Sequence, residues 1–140
     1  MDILTLSLMA LLILQLLLVC YSDIRHRIIS NKLIVTIAIN TLVLGFAKHN
    51  TVSIVIPLCT LLAGYTVFYF NLIGGGDVKL ITVLLLTLTA GQSLDFILYT
   101  AIMGGIVMVI GMLINRADIQ QRGVPYAVAI SIGFLLALFT

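Results

Sequence analysis

Long apolar runs fill most of this chain, and only short polar or glycine-bearing breaks separate them. A transmembrane helix needs about 20 mostly apolar residues, and shorter runs suffice where the bilayer thins or flanking residues snorkel. The sequence contains six candidate spans, which are Ile3–Cys20, Leu33–Ala47, Val52–Leu72, Val78–Ala90, Phe96–Ile114 and Pro125–Thr140. We therefore expect an all-α polytopic membrane protein with about six transmembrane helices.

The composition also requires a lipid bilayer as the surroundings. Of the 140 residues, 62% are hydrophobic and 9% are charged, which is too little polar surface to cover a soluble domain. The net charge of +2 is small and the basic residues are scattered, so we expect no nucleic-acid partner. Because no break is long enough for a soluble domain, residues 1–140 are predicted to form a single transmembrane domain.

Basic residues divide unequally between the breaks. Only Lys48 lies in the second or fourth break. The other six lie in or beside the first, third and fifth breaks, and they are Arg25, Arg27, Lys32, Lys79, Arg116 and Arg122. The positive-inside rule then places the odd-numbered breaks in the cytoplasm and both termini outside. All six except Lys79 are expected to snorkel to lipid head groups.

The first apolar run is predicted to be a mature helix and not a cleaved signal peptide. Asp2 stands where a signal peptide has basic residues, and bulky Val19 disfavours lipoprotein-type cleavage before Cys20. Cys20 and Cys59 each stand alone in apolar runs, and His26 has no second histidine or cysteine nearby. We therefore expect no metal site and no cofactor.

The fifth run contains a set of small residues. Gly104, Gly105 and Gly111 recur along it, and Ala101 lies one turn before Gly105. Small residues let membrane helices approach closely, so this face is predicted to pack against another helix.

Five acidic residues are present, all of them aspartates, and two of these stand at span ends. Asp23 follows the first span and Asp77 precedes the fourth, so two crossings separate them and both emerge on the cytoplasmic side. Two carboxyl groups in one site hold one proton between them, which suits them to activate water and support a carbonyl oxygen. The pair predicts peptide hydrolysis without a metal. Asp118, flanked by Arg116 and Arg122, is expected to have a surface role.

Three consecutive glycines, Gly74, Gly75 and Gly76, precede Asp77. Glycine permits positive φ and close backbone approach, so the run is predicted to turn sharply and bring Asp77 near its partner acid. A merely flexible turn between two helices is the alternative. A phosphate loop is excluded because no G-K-[ST] follows.

Two stretches together resemble one family. "SDIRHRIISNKL" resembles the D-x-R-x-x-x-I-x-N signature of type IV prepilin peptidases, and "GGGDVKL" resembles their G-x-G-D-x-K signature. "GVPYAVAISIG" is similar to the start of the family's last helix. The G-x-G-D element is shared with presenilin-like intramembrane proteases, so the first stretch is what narrows the family.

The resemblance implies an aspartyl endopeptidase of the cytoplasmic (inner) membrane. Such an enzyme removes the short basic leader from pilin-like precursors on the cytoplasmic side, just before the precursor's hydrophobic N-terminal helix. Asp23 and Asp77 match the catalytic positions, and the supporting motif residues are Gly74, Gly76, Lys79 and Asn31. Lys79 is a candidate for biasing the ionisation of Asp77 or for attracting an acidic group of the precursor.

The chain is shorter than many members of that family. Longer members carry a cytoplasmic insertion with paired C-x-x-C motifs and also methylate the new N-terminus, whereas nothing between the first two spans here can hold zinc or a methyl donor. The chain is thus similar to the compact prepilin peptidases of Tad/Flp pili, or to archaeal preflagellin peptidases. Two alternatives stay open: a small ion- or proton-translocating protein whose path is lined by Asp23 and Asp77, and a non-enzymatic pilus-assembly component.

Overall fold

Six α-helices make up most of residues 2–140. A computed structural model describes residues 2–140, and 84% of the chain is helical. The helices are α1 (Ile3–His26), α2 (Asn31–His49), α3 (Val55–Tyr69), α4 (Gly75–Leu84), α5 (Ala90–Arg122) and α6 (Tyr126–Leu138), and a 3-10 turn at Leu85–Thr87 continues α4. No strand occurs among residues 2–140, which confirms the all-α prediction.

Three helices are long and apolar enough to cross a membrane. These are α1, α2 and α5, whereas α3 and α6 are apolar but shorter. The expectation of a multi-pass membrane protein is therefore supported. Six crossings and the sides of the two termini stay predictions.

The fourth predicted span, Val78–Ala90, is wrong at both ends. Its helix already begins at Gly75, and it ends at Leu84. Ala90 instead opens α5, because the Thr89 hydroxyl accepts from the Gln92 N–H at 3.3 Å while the Gln92 side chain accepts from the Thr89 N–H at 3.1 Å. This reciprocal capping box satisfies the first free N–H groups of α5 and fixes where it starts.

Helix α5 is broken near its C-terminal end. Asn115 has non-helical angles, φ −151° and ψ 83°, and its side chain accepts from the Asp118 N–H at 3.1 Å. Asn115 thus caps a short second segment that runs to Arg122. The predicted end of the fifth span at Ile114 coincides with this break.

The helices pack around α4 and α6. Helix α1 packs against α2 and α6, α5 packs mainly against α6, and α4 lies among α2, α3 and α6. Leu80 and Leu84 of α4 are fully buried and join the same core as Leu12, Ile37 and Phe134 of the surrounding helices.

The odd-numbered breaks meet at one end of the bundle, and the even-numbered breaks meet at the other end. At one end the Arg27 guanidinium donates to the Gly123 carbonyl, and Lys79 Nζ donates to Asn31 Oδ1 at 3.0 Å. At the other end Gln92 Nε2 donates to the Leu138 carbonyl at 3.5 Å, and the His49 ring lies 3.3 Å from the carbonyl of Thr87. We call the first end, formed by 25–32, 74–79 and 115–125, the basic end.

Helices α5 and α6 approach each other closely at Gly133. A Cβ on Gly133 would lie 2.9 Å from the Cα of Thr100, so only glycine fits there. The predicted small-residue face of α5 is wrong in part, because nothing lies within 4 Å of a Cβ on Gly105, and Gly111 faces Ile119 of its own helix. Gly104 agrees with the prediction, since it is buried and a Cβ there would lie 3.6 Å from the Tyr126 ring of α6. Gly104 and Gly105 also line an apolar groove of about 450 Å³.

Replacing Gly133 with alanine tests this contact. Gly133→Ala places a methyl group against backbone atoms of Thr100, which cannot rotate away. We expect the free energy of unfolding in detergent, measured by SDS titration, to fall by about 1–3 kcal/mol. Gly105→Ala is the matched control and should change it by less than about 0.5 kcal/mol. Equal stability of the two variants would contradict the packing described for α6.

Candidate active site

Asp23 lies in the last turn of α1 and is buried, with 6% of its surface exposed. Its Oδ2 accepts a hydrogen bond of 3.0 Å from the backbone N–H of Ala127, in the first turn of α6. The free N–H groups at a helix N-terminus favour negative charge, so α6 supplies both a donor and a favourable field for this carboxylate.

Asp77 lies in the first turn of α4 and is half-buried. Gly74 caps this helix in an extended conformation, with φ −75° and ψ 146°. A carboxylate oxygen of Asp77 lies 3.3 Å from where a Cβ on Gly74 would be, so the side chain folds back over its own N-terminal turn. An acidic residue in this position is favoured by the helix dipole.

The structure brings the two aspartates into one pocket at the basic end. The pocket has a volume of about 290 Å³, and its lining residues are Asp23, Arg27, Ile28, Ile29, Gly74, Gly75, Gly76 and Asp77. One wall is therefore carried by α1 and the loop that follows it, and the other by the glycine run and the start of α4. The shared pocket is the geometry that the two-crossing argument requires.

The conformation predicted for the glycines is wrong. Gly75 and Gly76 belong to α4, and among residues 2–140 the positive-φ glycine is Gly123, with φ 82°. The turn before the run is made by Asn71, with φ 60°, a residue type that tolerates the left-handed region. The close approach is real at Gly76, where a Cβ would lie only 3.3 Å from the Cβ of Ile29. Gly76 thus lets the α1–α2 loop lie against α4.

Asn31 and Lys79, the two supporting residues without a derived role, contact each other. Asn31 is the first residue of α2 and Lys79 lies in α4, and their side chains form a hydrogen bond of 3.0 Å. This bond links the helix that follows the Asp23 loop to the helix that carries Asp77. The structure therefore adds a bracing contact to the two roles considered for Lys79.

An arginine–aspartate network beside the pocket was missed by sequence reasoning. Asp118 Oδ2 lies 3.1 Å from the Arg27 guanidinium, and Asp118 Oδ1 lies 3.0 Å from that of Arg122. Arg27 and Arg122 thus bind Asp118, a contact that the snorkelling expectation did not include, and 27% of the Asp118 side chain is exposed. Arg27 and Asp118 are 91 positions apart in the sequence, so no local pattern predicts their contact. Asp118 does not line the pocket that holds Asp23 and Asp77.

Neither cysteine belongs to a group of potential metal-binding side chains among the described residues. Cys20 Sγ lies 3.4 Å from Ser131 Oγ in the contact between α1 and α6, and Cys59 is exposed on α3. In the part of the chain that the structure describes, residues 2–140, no three His, Cys, Asp or Glu side chains are grouped closely enough to hold a metal ion.

Comparison with known families identifies the chain. The sequence profile of the type IV leader peptidase family matches residues 10–110, a range that includes both Asp23 and Asp77. The chain belongs to the type IV leader peptidase family. Neither the curated proteins nor the solved structures contain a significant match. As a family member the chain is a protease, and its apolar helices indicate a multi-pass membrane protein.

The glycine run of the leader peptidase offers a matched pair of substitutions. In Gly76→Ala the new methyl group presses on Ile29 at 3.3 Å, whereas in Gly75→Ala it meets the Phe68 ring at 3.5 Å, an ordinary contact. Because Ile29 lines the pocket, we expect Gly76→Ala to lower peptidase activity by roughly tenfold or more and Gly75→Ala to lower it by less than about twofold. Initial rates per folded protein measure the difference. A larger loss in Gly75→Ala would show that the Gly76 contact does not shape the pocket.

Proposed function

We propose that this leader peptidase is an aspartyl endopeptidase of the cytoplasmic membrane that removes the basic leader from type IV pilin-like precursors at the cytoplasmic face. The observation that carries the proposal is the single pocket lined by Asp23 and Asp77. These acids come from different helices and different breaks of the sequence, so their meeting is a property of the fold.

The proposed chemistry needs only the two carboxyl groups. One carboxylate removes a proton from a water molecule, whose oxygen attacks the carbonyl carbon of the scissile peptide bond. The protonated carboxyl donates a hydrogen bond to the carbonyl oxygen as negative charge develops there. Collapse of the tetrahedral intermediate breaks the C–N bond, and a proton passes to the leaving amine. No covalent intermediate and no cofactor takes part.

The pocket suits a short extended segment and not a folded domain. Its volume of about 290 Å³ lies at the low end of ligand pockets, and glycines without side chains form part of its wall. A pilin-like precursor places its hydrophobic helix in lipid and its leader outside it, so the scissile bond reaches the helix ends where the two aspartates lie. The loop between α1 and α2 has only the residues between His26 and Asn31, which supports the compact, Tad/Flp-like form without methyltransferase activity.

The same proposal includes six crossings, with both termini outside and residues 1–140 forming one peptidase domain. Its support is that consecutive helices connect opposite ends of the bundle, and that the breaks with six of the seven basic residues meet at one end. Helix α6, with 13 residues, is about 20 Å long, so the bilayer must be thin beside it or be reached by flanking residues.

The two other classes receive less support. An ion-translocating protein usually holds ionisable groups near the midplane, whereas Asp23 and Asp77 both lie at the basic end. A non-enzymatic pilus-assembly component has no need of paired acids, and the family assignment is to peptidases.

Neutralising either aspartate tests the catalytic assignment. The purified protein in detergent is incubated with a tagged pilin precursor, and shortening is followed on a gel. We expect Asp23→Asn and Asp77→Asn each to lower the rate by a factor of about 100 or more, because neither amide can exchange the proton. Asp95→Asn, in the first turns of α5 at the other end, is the matched control and should cleave normally. Undiminished cleavage by either pocket variant excludes the proposed dyad.

Accessibility of single cysteines tests the topology. In a chain with Cys20 and Cys59 replaced by serine, Ser30→Cys marks the basic end and Thr51→Cys marks the α2–α3 loop, and both positions are exposed. In right-side-out vesicles a membrane-impermeant maleimide should label Thr51→Cys alone, and both after permeabilisation. Labelling of Ser30→Cys in intact vesicles would reverse the orientation.

A further inference from the structure

Arg27 makes an unusual number of contacts for an arginine at a membrane-helix end. It closes α1 in the left-handed conformation, with φ 53°, and its Nη1 donates to the carbonyls of Asp23 and Ile24 at 2.9 and 2.8 Å. Its Nε and Nη2 donate to the Gly123 carbonyl at 3.3 and 3.1 Å. One side chain therefore caps the turn that carries Asp23 and also holds the chain just before α6.

Asp118 holds Arg27 in this position from the other side. One carboxylate oxygen of Asp118 binds the Arg27 guanidinium and the other binds that of Arg122. The backbone N–H of Asp118 donates to the Asn115 side chain. Arg122 in turn donates to the carbonyls of Ile24 and Arg25, so both arginines join the end of α5 to the end of α1. With 27% of the Asp118 side chain and 14% of the Arg27 side chain exposed, the Arg27–Asp118 pair is shielded more than an ordinary surface ion pair.

These contacts lead to the hydrogen bond that holds Asp23. Gly123, fixed by Arg27, is followed closely by the first turn of α6, and in that turn the Ala127 N–H binds Asp23 Oδ2 at 3.0 Å. If Arg27 releases Gly123, the first turn of α6 loses its tie to the last turn of α1. The Asp23 carboxylate then loses the donor that fixes its orientation in the pocket.

We infer that Asp118 is a positioning residue for the peptidase reaction, and that it acts through Arg27 to keep Asp23 on the Ala127 N–H. The inference rests on the proposed catalytic role of Asp23. Asp118 itself does not line the pocket, so its carboxylate has no direct part in the chemistry.

Kinetics of Asp118→Asn provide the first test. The change is isosteric and removes the charge that binds Arg27. We expect kcat per folded protein to fall by roughly 10- to 100-fold with KM within about twofold, because the substrate pocket stays while the Asp23 carboxylate loses its fixed orientation. The double variant with Arg27→Gln and Asp118→Asn should lose no more kcat than Arg27→Gln alone, because Asp118 acts through Arg27. Arg116→Gln, in the same short segment but without an ion pair in the structure, should retain wild-type kcat.

Amide hydrogen exchange gives a readout that does not depend on cleavage. Exchange at Ala127 should become at least about tenfold faster in Asp118→Asn and stay unchanged in Arg116→Gln. Wild-type kcat and wild-type exchange in Asp118→Asn would overturn the inference, as would additive losses in the double variant or a KM effect alone. Those results leave the proposed function standing as long as Asp23→Asn is inactive. Full activity of Asp23→Asn would instead refute the proposed function.

Discussion

A buried carboxylate at the end of a membrane helix needs hydrogen-bond donors, and this requirement organises the basic end of the protein. Asp23 has 6% of its surface exposed and takes its donor from the first turn of α6, more than a hundred residues later in the chain. An unpaired charge there would cost several kcal/mol, so the end of α1 and the start of α6 are bound to each other. Arg27 also contacts Asp118 of α5 and the Gly123 carbonyl, so the end of α5 is bound to the same junction.

Hydropathy predicted much of this arrangement. Six apolar runs and short breaks leave little freedom other than consecutive helices that alternate in direction, which puts odd-numbered breaks at one end. Asp23 and Asp77 consequently share a pocket although 54 positions separate them in the sequence. The two sequence signatures indicated which of the aspartates are the candidate catalytic acids. The family match supports the assignment to leader peptidases.

The failures of sequence reasoning have two physical causes, which are local capping and tertiary contacts. Helix ends depend on local capping, so the Thr89–Gln92 box moved the start of α5 to a residue that hydropathy had placed in the previous span. The glycines were expected to turn the chain, whereas Gly76 lets Ile29 approach α4, a contact that exists only in the folded state. The Arg27–Asp118 pair is likewise tertiary, and net charge or local spacing contains no trace of it.

The two aspartates are held by different parts of the bundle. Asp23 depends on α6 and the Arg27 contacts, whereas Asp77 lies on α4, which is joined to α2 by the Asn31–Lys79 bond and to the α1–α2 loop at Gly76. The loop between α1 and α2 contacts both sets, through Arg27 and through Ile29. Any shift of that loop therefore changes the separation of the two carboxyl groups, and the geometry of the pair depends on a few residues between Arg27 and Asn31. A short loop at this point suits the proposed chemistry, because it connects the helix that carries Asp23 to a loop and helix that contact α4, which carries Asp77.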